Sequence, residues 1–187
     1  MSGQATPYIF QPAAHSHLVP YLAALHGSCI NHDRMVGAFL SPLNHERLLA
    51  WWKDKIAEVT AGTRVIFLLL DESQPGSKAK GPELMGVAML ALPHLETAPY
   101  RANVESLLVS PKYRRRGGAK MLMEYLELEA AVRAKTLLMA EAESGTAAEA
   151  AFHKFGFTEV GKVPRYAFNS AGEPRDVTFF YKDLSSL

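Results

Sequence analysis

Apolar residues recur along this chain at two spacings, and the order in which the spacings alternate suggests the architecture. Residues 17–26 place Leu18, Tyr21, Leu22 and Leu25 at helical intervals behind Ser16, a residue type that caps helices. Residues 44–61 repeat the pattern: Asn44 offers a side-chain cap, Leu48, Trp52, Ile56 and Val59 form the stripe, and Gly62 ends it. Residues 64–70 are different, an almost unbroken apolar run of the kind buried on both faces of a sheet. Residues 83–92 form a second such run, and 8–11 a candidate first strand. In 100–109, Val104, Ser106 and Leu108 alternate with Asn103, Glu105, Leu107 and Val109, the period of two of a strand with unlike faces. A helix is expected over 118–134, with Met121, Leu122, Tyr125, Leu128 and Val132 on its apolar side. A strand at 136–142, a helix at 146–155 stopped by Gly156, and strands at 157–166 and 177–183 around a turn at 169–174 complete the chain. Residues 31–43 show no clear period. Helices in front, then strands, then strand–helix–strand–helix–strand imply an α/β sandwich with a mixed sheet.

Composition narrows the options. A length of 187 residues fits one domain, 1–187, with a core large enough to need no covalent staple. One cysteine, Cys29, excludes an internal disulfide and suits a cytoplasmic protein. Residues 1–12 lack a basic stretch followed by an apolar run, so no secretory leader is expected. The longest apolar run is too short to cross a bilayer, and a net charge of +1 favours neither nucleic acid nor membrane as a partner. Residues 73–82, rich in Gly, Pro, Ser and Lys, read as an exposed loop between strands. The histidines at 15, 17, 26 and 32 have no spacing that fits a tetrahedral metal site, and no metal is expected.

One stretch carries chemistry. A strand ends at Val109, Pro111 bars its continuation, and Gly117-Gly118-Ala119 open a helix. Free backbone N–H groups at a helix start bind phosphate, the helix dipole adds to the attraction, and glycine lets the anion come close. Arg114, Arg115, Arg116 and Lys120 add positive charge, with no acid between Lys112 and Lys120. The nucleoside-triphosphate loop is excluded because no Gly-Lys-Ser/Thr follows. The dinucleotide fingerprint is excluded by the glycine spacing. A pyrophosphate site of another type remains, against the alternative of a solvated basic loop.

Arg114-x-x-Gly117-x-Ala119 resembles the Arg/Gln-x-x-Gly-x-Gly/Ala signature of the GNAT superfamily of acetyl-CoA-dependent acetyltransferases. Val109-x-Pro-x-Tyr-Arg looks like that family's exit from its fourth strand, and Phe152-His-Lys-Phe-Gly-Phe157 is similar to its Tyr-x-Lys-x-Gly-Phe segment. The stretch 101–184 resembles the tabtoxin-resistance branch, above all at Glu143-x-Gly145-x-x-Ala148-Glu149-Ala150. The resemblance implies a mixed, mostly antiparallel sheet of about six to seven strands, splayed between strands 4 and 5, with helices on both faces. It implies acetyl-CoA as co-substrate, its pyrophosphate on Arg114, Arg115, Arg116, Gly117, Gly118, Ala119 and Lys120. The pantetheine arm then pairs with Leu107, Leu108 and Val109, and Phe152 lies beside the cofactor.

The implied reaction is direct attack of an amine on the thioester. An ammonium must first lose a proton, and Glu105 and Glu141 are the candidate bases. The tetrahedral oxyanion needs a donor, for which the family uses a backbone N–H near Val109. The family often has a tyrosine where this chain has Phe152, and a phenyl ring has no proton to give a departing thiolate. Phe152→Tyr is expected to be neutral or to improve turnover. The acceptor is read as a primary amine of a small molecule, whether metabolite, toxin or antibiotic. The alternatives are a protein lysine or N-terminal acetyltransferase, and a non-catalytic acyl-CoA-binding module. Trp51, Trp52, Tyr21, Phe39 and Tyr166 are candidates to line the acceptor pocket, and the chain is expected to be a monomer or homodimer.

Overall fold

A computed structural model describes residues 4–72 and 79–185. Seven strands form one sheet: β1 (Gln4–Ile9), β2 (Arg64–Glu72), β3 (Leu84–Ala91), β4 (Arg101–Val109), β5 (Leu137–Glu143), β6 (Thr158–Phe168) and β7 (Pro174–Asp183). Five α-helices accompany them: α1 (Pro12–His15), α2 (Val19–Asp33), α3 (His45–Thr60), α4 (Gly118–Val132) and α5 (Ala147–Lys154). The strand order is β1-β2-β3-β4-β5-β7-β6, and only β4 and β5 run parallel. This is the mixed, mostly antiparallel sheet with helices on both faces that the resemblance implied. The expected loop at 73–82 falls largely outside the described residues; its far end, Gly81–Glu83, is a 3-10 turn.

The run at 64–70 is buried on both sides. Val65, Phe67 and Leu69 enter the core under α4, while Ile66, Leu68 and Leu70 enter the core under α2 and α3. Asn44 caps α3 by accepting from the Arg47 N–H at 3.0 Å. The aperiodic 31–43 stretch divides: α2 runs on to Asp33, and the remainder crosses to the β6–β7 hairpin. There Val36 bridges to Asn169, Ser41 N–H donates to Ser170 O (2.7 Å) and Ser170 N–H donates to Met35 O (3.1 Å).

Several sequence expectations fail. Ser16 caps no helix: it opens a 3-10 turn, Ser16–Leu18, with its hydroxyl turned back to Pro12 O, α2 begins at Val19 behind Leu18, and Tyr21 of the expected stripe is 45% exposed. In α4 the buried stripe is Leu122, Met123, Leu126 and Ala130, while Leu128 and Val132 are 66% and 78% exposed. The helical period fits both stripes, and only the position of the sheet selects one. In β4 the alternation does not run through. A bulge leaves Met89 opposite Glu105 but Val87 opposite Leu108, and Ser106 takes a left-handed φ of 51°. The extra residue turns the strand over. Ahead of it Val104 packs under α4; beyond it Leu108 packs on the α2 side, and Leu107 and Val109 lie against the α4 core.

That bulge bears directly on the cleft. β4 pairs with β5 only through Arg101, Ala102 and Asn103, opposite Leu137, Leu138 and Met139. From Val104 onward the two strands have no ladder, and the sheet is split.

Candidate active site

The split ends at the turn between β4 and α4. Ser110 N–H donates to Met85 O at 2.8 Å, which fixes the hydrogen-bonding edge of β4 toward β3. The alternation of an antiparallel ladder then turns the Val109 N–H to the other edge, into the gap left by β5. Arg115 (φ 60°) and Gly117 (φ 81°) adopt left-handed conformations that curl the turn. Among the described residues, the backbone N–H groups from Arg115 to Lys120 have no partner in the protein. No side chain caps α4, and its first backbone bond runs from Met121 N–H to Gly117 O at 3.0 Å. The amides are left for a ligand, at the positive end of the helix dipole.

The glycines have separate reasons. Gly117 needs its positive φ, and nothing lies within 4 Å of where its Cβ would stand, so the surface above it is open. A Cβ on Gly118 would come within 2.8 Å of Leu69 Cδ2, so glycine here lets the helix start sit down on β2. These features fit a pyrophosphate. The charge is distributed less evenly than expected. Arg115 makes no ion pair among the described residues, Arg116 lies 5.8 Å from the Tyr113 ring centre, and Lys120 reaches Glu124 only at 3.6 Å. Arg114 is engaged within the protein. It pairs with both oxygens of Asp33 at 2.7 Å and donates through Nε to Val109 O at 3.0 Å.

Phe152 is 5% exposed and sits in a ring cluster, stacked on Phe180 at 5.5 Å and edge-on to Phe155 and Phe157. Its ring is core. The hydroxyl of Phe152→Tyr would enter an aromatic box and would need a partner there.

The two candidate bases share a face. Glu105 lies before the bulge on the α2 side, and Glu141 alternates with Leu138, Ala140 and Ala142, which belong to the opposite core. Their carboxylates therefore face each other across the place where β4 and β5 part. Glu141 has a raised pKa, by desolvation first and by the charge of Glu105 second. Glu105 accepts from Arg64 Nη1 at 2.7 Å, and Arg64 also donates through Nε to Glu58 at 2.6 Å. Arg64 is 5% exposed. Sequence reasoning missed this chain, although a cation opening a run buried on both faces needs a partner. It also missed Asp33.

Of the acceptor-side aromatics, Trp52 is fully buried and Phe39 nearly so; they and Trp51 surround His26. Tyr166 is half-exposed on β6, edge-on to Phe179 at 5.1 Å, and Tyr21 is also exposed. The acids of the Glu143–Ala150 segment are bound into the scaffold. Glu143 pairs with Arg175 and accepts from the Val36 N–H. Glu149 accepts from the Thr178 hydroxyl, the Gly145 N–H and Lys162, contacts that pull its pKa down to about 2. Burial pushes the Cys29 thiol up, with Arg114 opposing, so it is no ready nucleophile.

Residues 37–157, more than half of the chain, match the model of the acetyltransferase (GNAT) family. The chain belongs to the GNAT family of acetyltransferases. It is thus an acyltransferase, and its co-substrate is acetyl-CoA. Solved structures with the same fold include an N-acetyltransferase from Staphylococcus aureus Mu50 (19% identity, 97% of this chain and 99% of that one, TM-score 0.70). Another is yncA from Salmonella typhimurium, solved with its cofactor acetyl-CoA (19%, 97% and 95%, 0.71). A third is a ribosomal-protein-alanine N-acetyltransferase from Brucella melitensis (20%, 96% and 99%, 0.70). At these identities the likeness is one of fold. No described helix of this GNAT chain is long and apolar enough to cross a membrane.

Proposed function

We propose that this GNAT protein acetylates a primary amine of a small molecule, as one domain over 1–187, in the cytoplasm where acetyl-CoA is made and used. The observation that carries the reading is the pair Glu105 and Glu141, set on one face at the split, with Glu141 raised in pKa by desolvation first and by the charge of Glu105 second. A cationic amine is drawn to two carboxylates, and a carboxylate raised above its usual range accepts a proton near neutrality more readily. Glu141 is the base. Glu105, paired with Arg64, stands beside the entering amine.

Bound acetyl-CoA supplies an acetyl thioester. The N–H groups of Arg115, Arg116, Gly117, Gly118, Ala119 and Lys120 hold its pyrophosphate, and Leu107, Leu108 and Val109 run beside its arm. The Val109 N–H, turned into the split, donates to the acetyl oxygen as charge builds there. An ammonium acceptor gives one proton to Glu141, and the free amine would add to the acetyl carbon; as the carbon–sulfur bond breaks, the sulfur departs with the electron pair and the second proton leaves the nitrogen. No tyrosine stands at Phe152, so water relays that second proton from the nitrogen to the thiolate.

The crossing segment supports a small acceptor over a protein. Residues 35–41 are tied to the β6–β7 hairpin by the Val36–Asn169 bridge and the two Ser170 bonds, so a peptide acceptor would have to pass a segment that is fastened down. The acids of residues 143–149 support placement in the tabtoxin-resistance branch. Incubation with acetyl-CoA and a mixed amine library, read by mass spectrometry, is the test. A product 42 mass units heavier, roughly the mass of an acetyl group less hydrogen, is expected on a small amine and lost in Glu141→Gln. Acetylation confined to peptide lysines or N-termini would refute the small-acceptor reading. CoA binding with no turnover on any amine would refute the enzymatic one.

A further inference from the structure

We infer that Asp33 is a positioning residue for the acetyl-CoA cradle, acting through Arg114 on the turn whose amides take the pyrophosphate. The inference rests on the cradle reading above. Arg114 joins three elements. Nη1 and Nη2 meet the two oxygens of Asp33 at 2.7 Å each, Nε donates to the carbonyl of Val109 at 3.0 Å, and Nη2 lies 3.8 Å from Cys29 Sγ. The last turn of α2, the end of β4 and the loop entering α4 are thereby fixed to one planar group.

Two observations make this more than a surface ion pair. Asp33 is the last residue of α2, where the helix dipole disfavours a carboxylate; the acid is placed against the interest of its own helix. The second half of the turn is held by few side chains of its own, whereas Tyr113 packs on the core before it. That half holds a non-glycine residue, Arg115, at a φ of 60°, and α4 has no side-chain cap. Backbone amides aimed at an anion bind well only when their direction is set beforehand, since ordering the turn on binding costs affinity. The Arg114 fork sets it, and Asp33 holds the fork. An arginine in the family's signature position thus serves the cofactor through the turn that it holds.

The pair is part-exposed, at 33% and 36%, so its loss changes global stability little. Its loss is read instead in binding. CoA is titrated by calorimetry into the wild type, Asp33→Asn, Asp33→Glu, Arg114→Lys and Gly117→Glu, and amide exchange is followed over 114–119. Asp33→Asn and Arg114→Lys are expected to bind CoA about 5–10-fold more weakly, with faster exchange at residues 115–118 in the free protein. Asp33→Glu keeps charge and two acceptor oxygens and is expected to recover most of the loss. Melting temperatures are expected to stay within about 3 °C of wild type. If Asp33→Asn fails to fold, Arg114→Lys carries the measurement, since it keeps the charge but loses the fork. CoA affinity within twofold of wild type in the folded variants, with Gly117→Glu unable to bind, overturns the inference alone. Wild-type affinity in Gly117→Glu overturns the cradle itself.

Discussion

The two halves of the cleft are built in opposite ways. The donor half is one stretch, residues 109–120, and it works mainly through backbone: a ladder edge, two left-handed turns and an uncapped helix start. The acceptor half is assembled from side chains far apart in sequence. Glu105 comes from β4, Glu141 from β5, Arg64 from β2, Glu58 from α3, and the crossing segment from between α2 and α3. A backbone site can tolerate many substitutions as long as the turn keeps its shape. A side-chain site changes whenever any contributor changes. The acceptor can therefore vary while the donor stays constant, and the two halves should respond differently to the same kind of damage.

The largest effect should follow from disabling the donor half. Gly117→Glu puts a carboxylate over the cradle, where open space admits the bulk and charge repulsion rejects the pyrophosphate. A left-handed φ adds strain of about 1–2 kcal/mol, which a domain of this size tolerates. CoA affinity by calorimetry should fall by about 100-fold or more, with the circular dichroism spectrum unchanged. Retained affinity would mean that the pyrophosphate is held elsewhere.

Breaking the acceptor half should leave the donor untouched. Glu141→Gln removes the proposed proton acceptor and nearly keeps its shape. With the amine found by library screening, kcat is expected to fall by about 100-fold or more, while CoA affinity stays within twofold. The wild-type rate should have an acid limb. A base works only when deprotonated, so the rate falls as pH falls through the Glu141 pKa, which is raised above the ordinary carboxylate value by desolvation and then by Glu105. Glu105→Gln removes the second cause and should move that limb to lower pH. An unmoved limb would dissociate the two carboxylates.

The same contrast explains what was legible in the sequence. The cradle was visible because its parts are neighbours: Pro111, Gly117 and Gly118 are turn chemistry in a row, and the Asn44 cap and Gly62 stop were readable for that reason too. The bulge at Ser106 was not readable, since nothing about a serine announces a left-handed φ, and the period of two was carried straight through it. The α4 stripe was misplaced by one helical face because Leu128 and Val132 satisfy the period as well as Met123 and Ala130 do. Insertion of β7 between β5 and β6 is a matter of pairing over distance. Arg114 shows the limit within the motif itself: the residue type was right for a phosphate, and its partner Asp33 lies 81 positions away.

Acid should loosen the acceptor half before the donor half. His26 on α2 is buried among Phe39, Trp51 and Trp52, and its pKa is pushed down to about 4 by desolvation. The unfolded chain takes up this proton near the ordinary value of 6.5 while the folded one refuses it. Stability is therefore complete above that value and lost as pH falls from 6.5 toward 4, by roughly 3 kcal/mol in all. Phe39 belongs to the crossing segment, so the acceptor side feels the change. Both tryptophans of the chain stand in this cluster, and their fluorescence reports it selectively. In His26→Phe the slope of stability between pH 6.5 and 4 should flatten; a slope equal to wild type would place the acid sensitivity elsewhere.

The smallest effect tests where the two halves meet. Ser106 sits at the bulge that turns β4 over and precedes its unpaired end, so it is the hinge between Glu105 on one side and Leu107 to Val109 on the other. A side chain at this φ costs about 1–2 kcal/mol, which glycine would relieve. Glycine also gives the unfolded chain more freedom, costing about 0.5–1 kcal/mol. Ser106→Gly should thus raise stability by less than about 1 kcal/mol in urea titration, with CoA affinity unchanged. Ser106→Val has the opposite tendency, because a β-branched residue strongly disfavours this conformation. It gains by drawing β4 back into regular alternation, which moves Leu107 to Val109 to the wrong faces and narrows the split. If Ser106→Val binds CoA and turns over as wild type does, the bulge is incidental and the separation of β4 from β5 needs another cause.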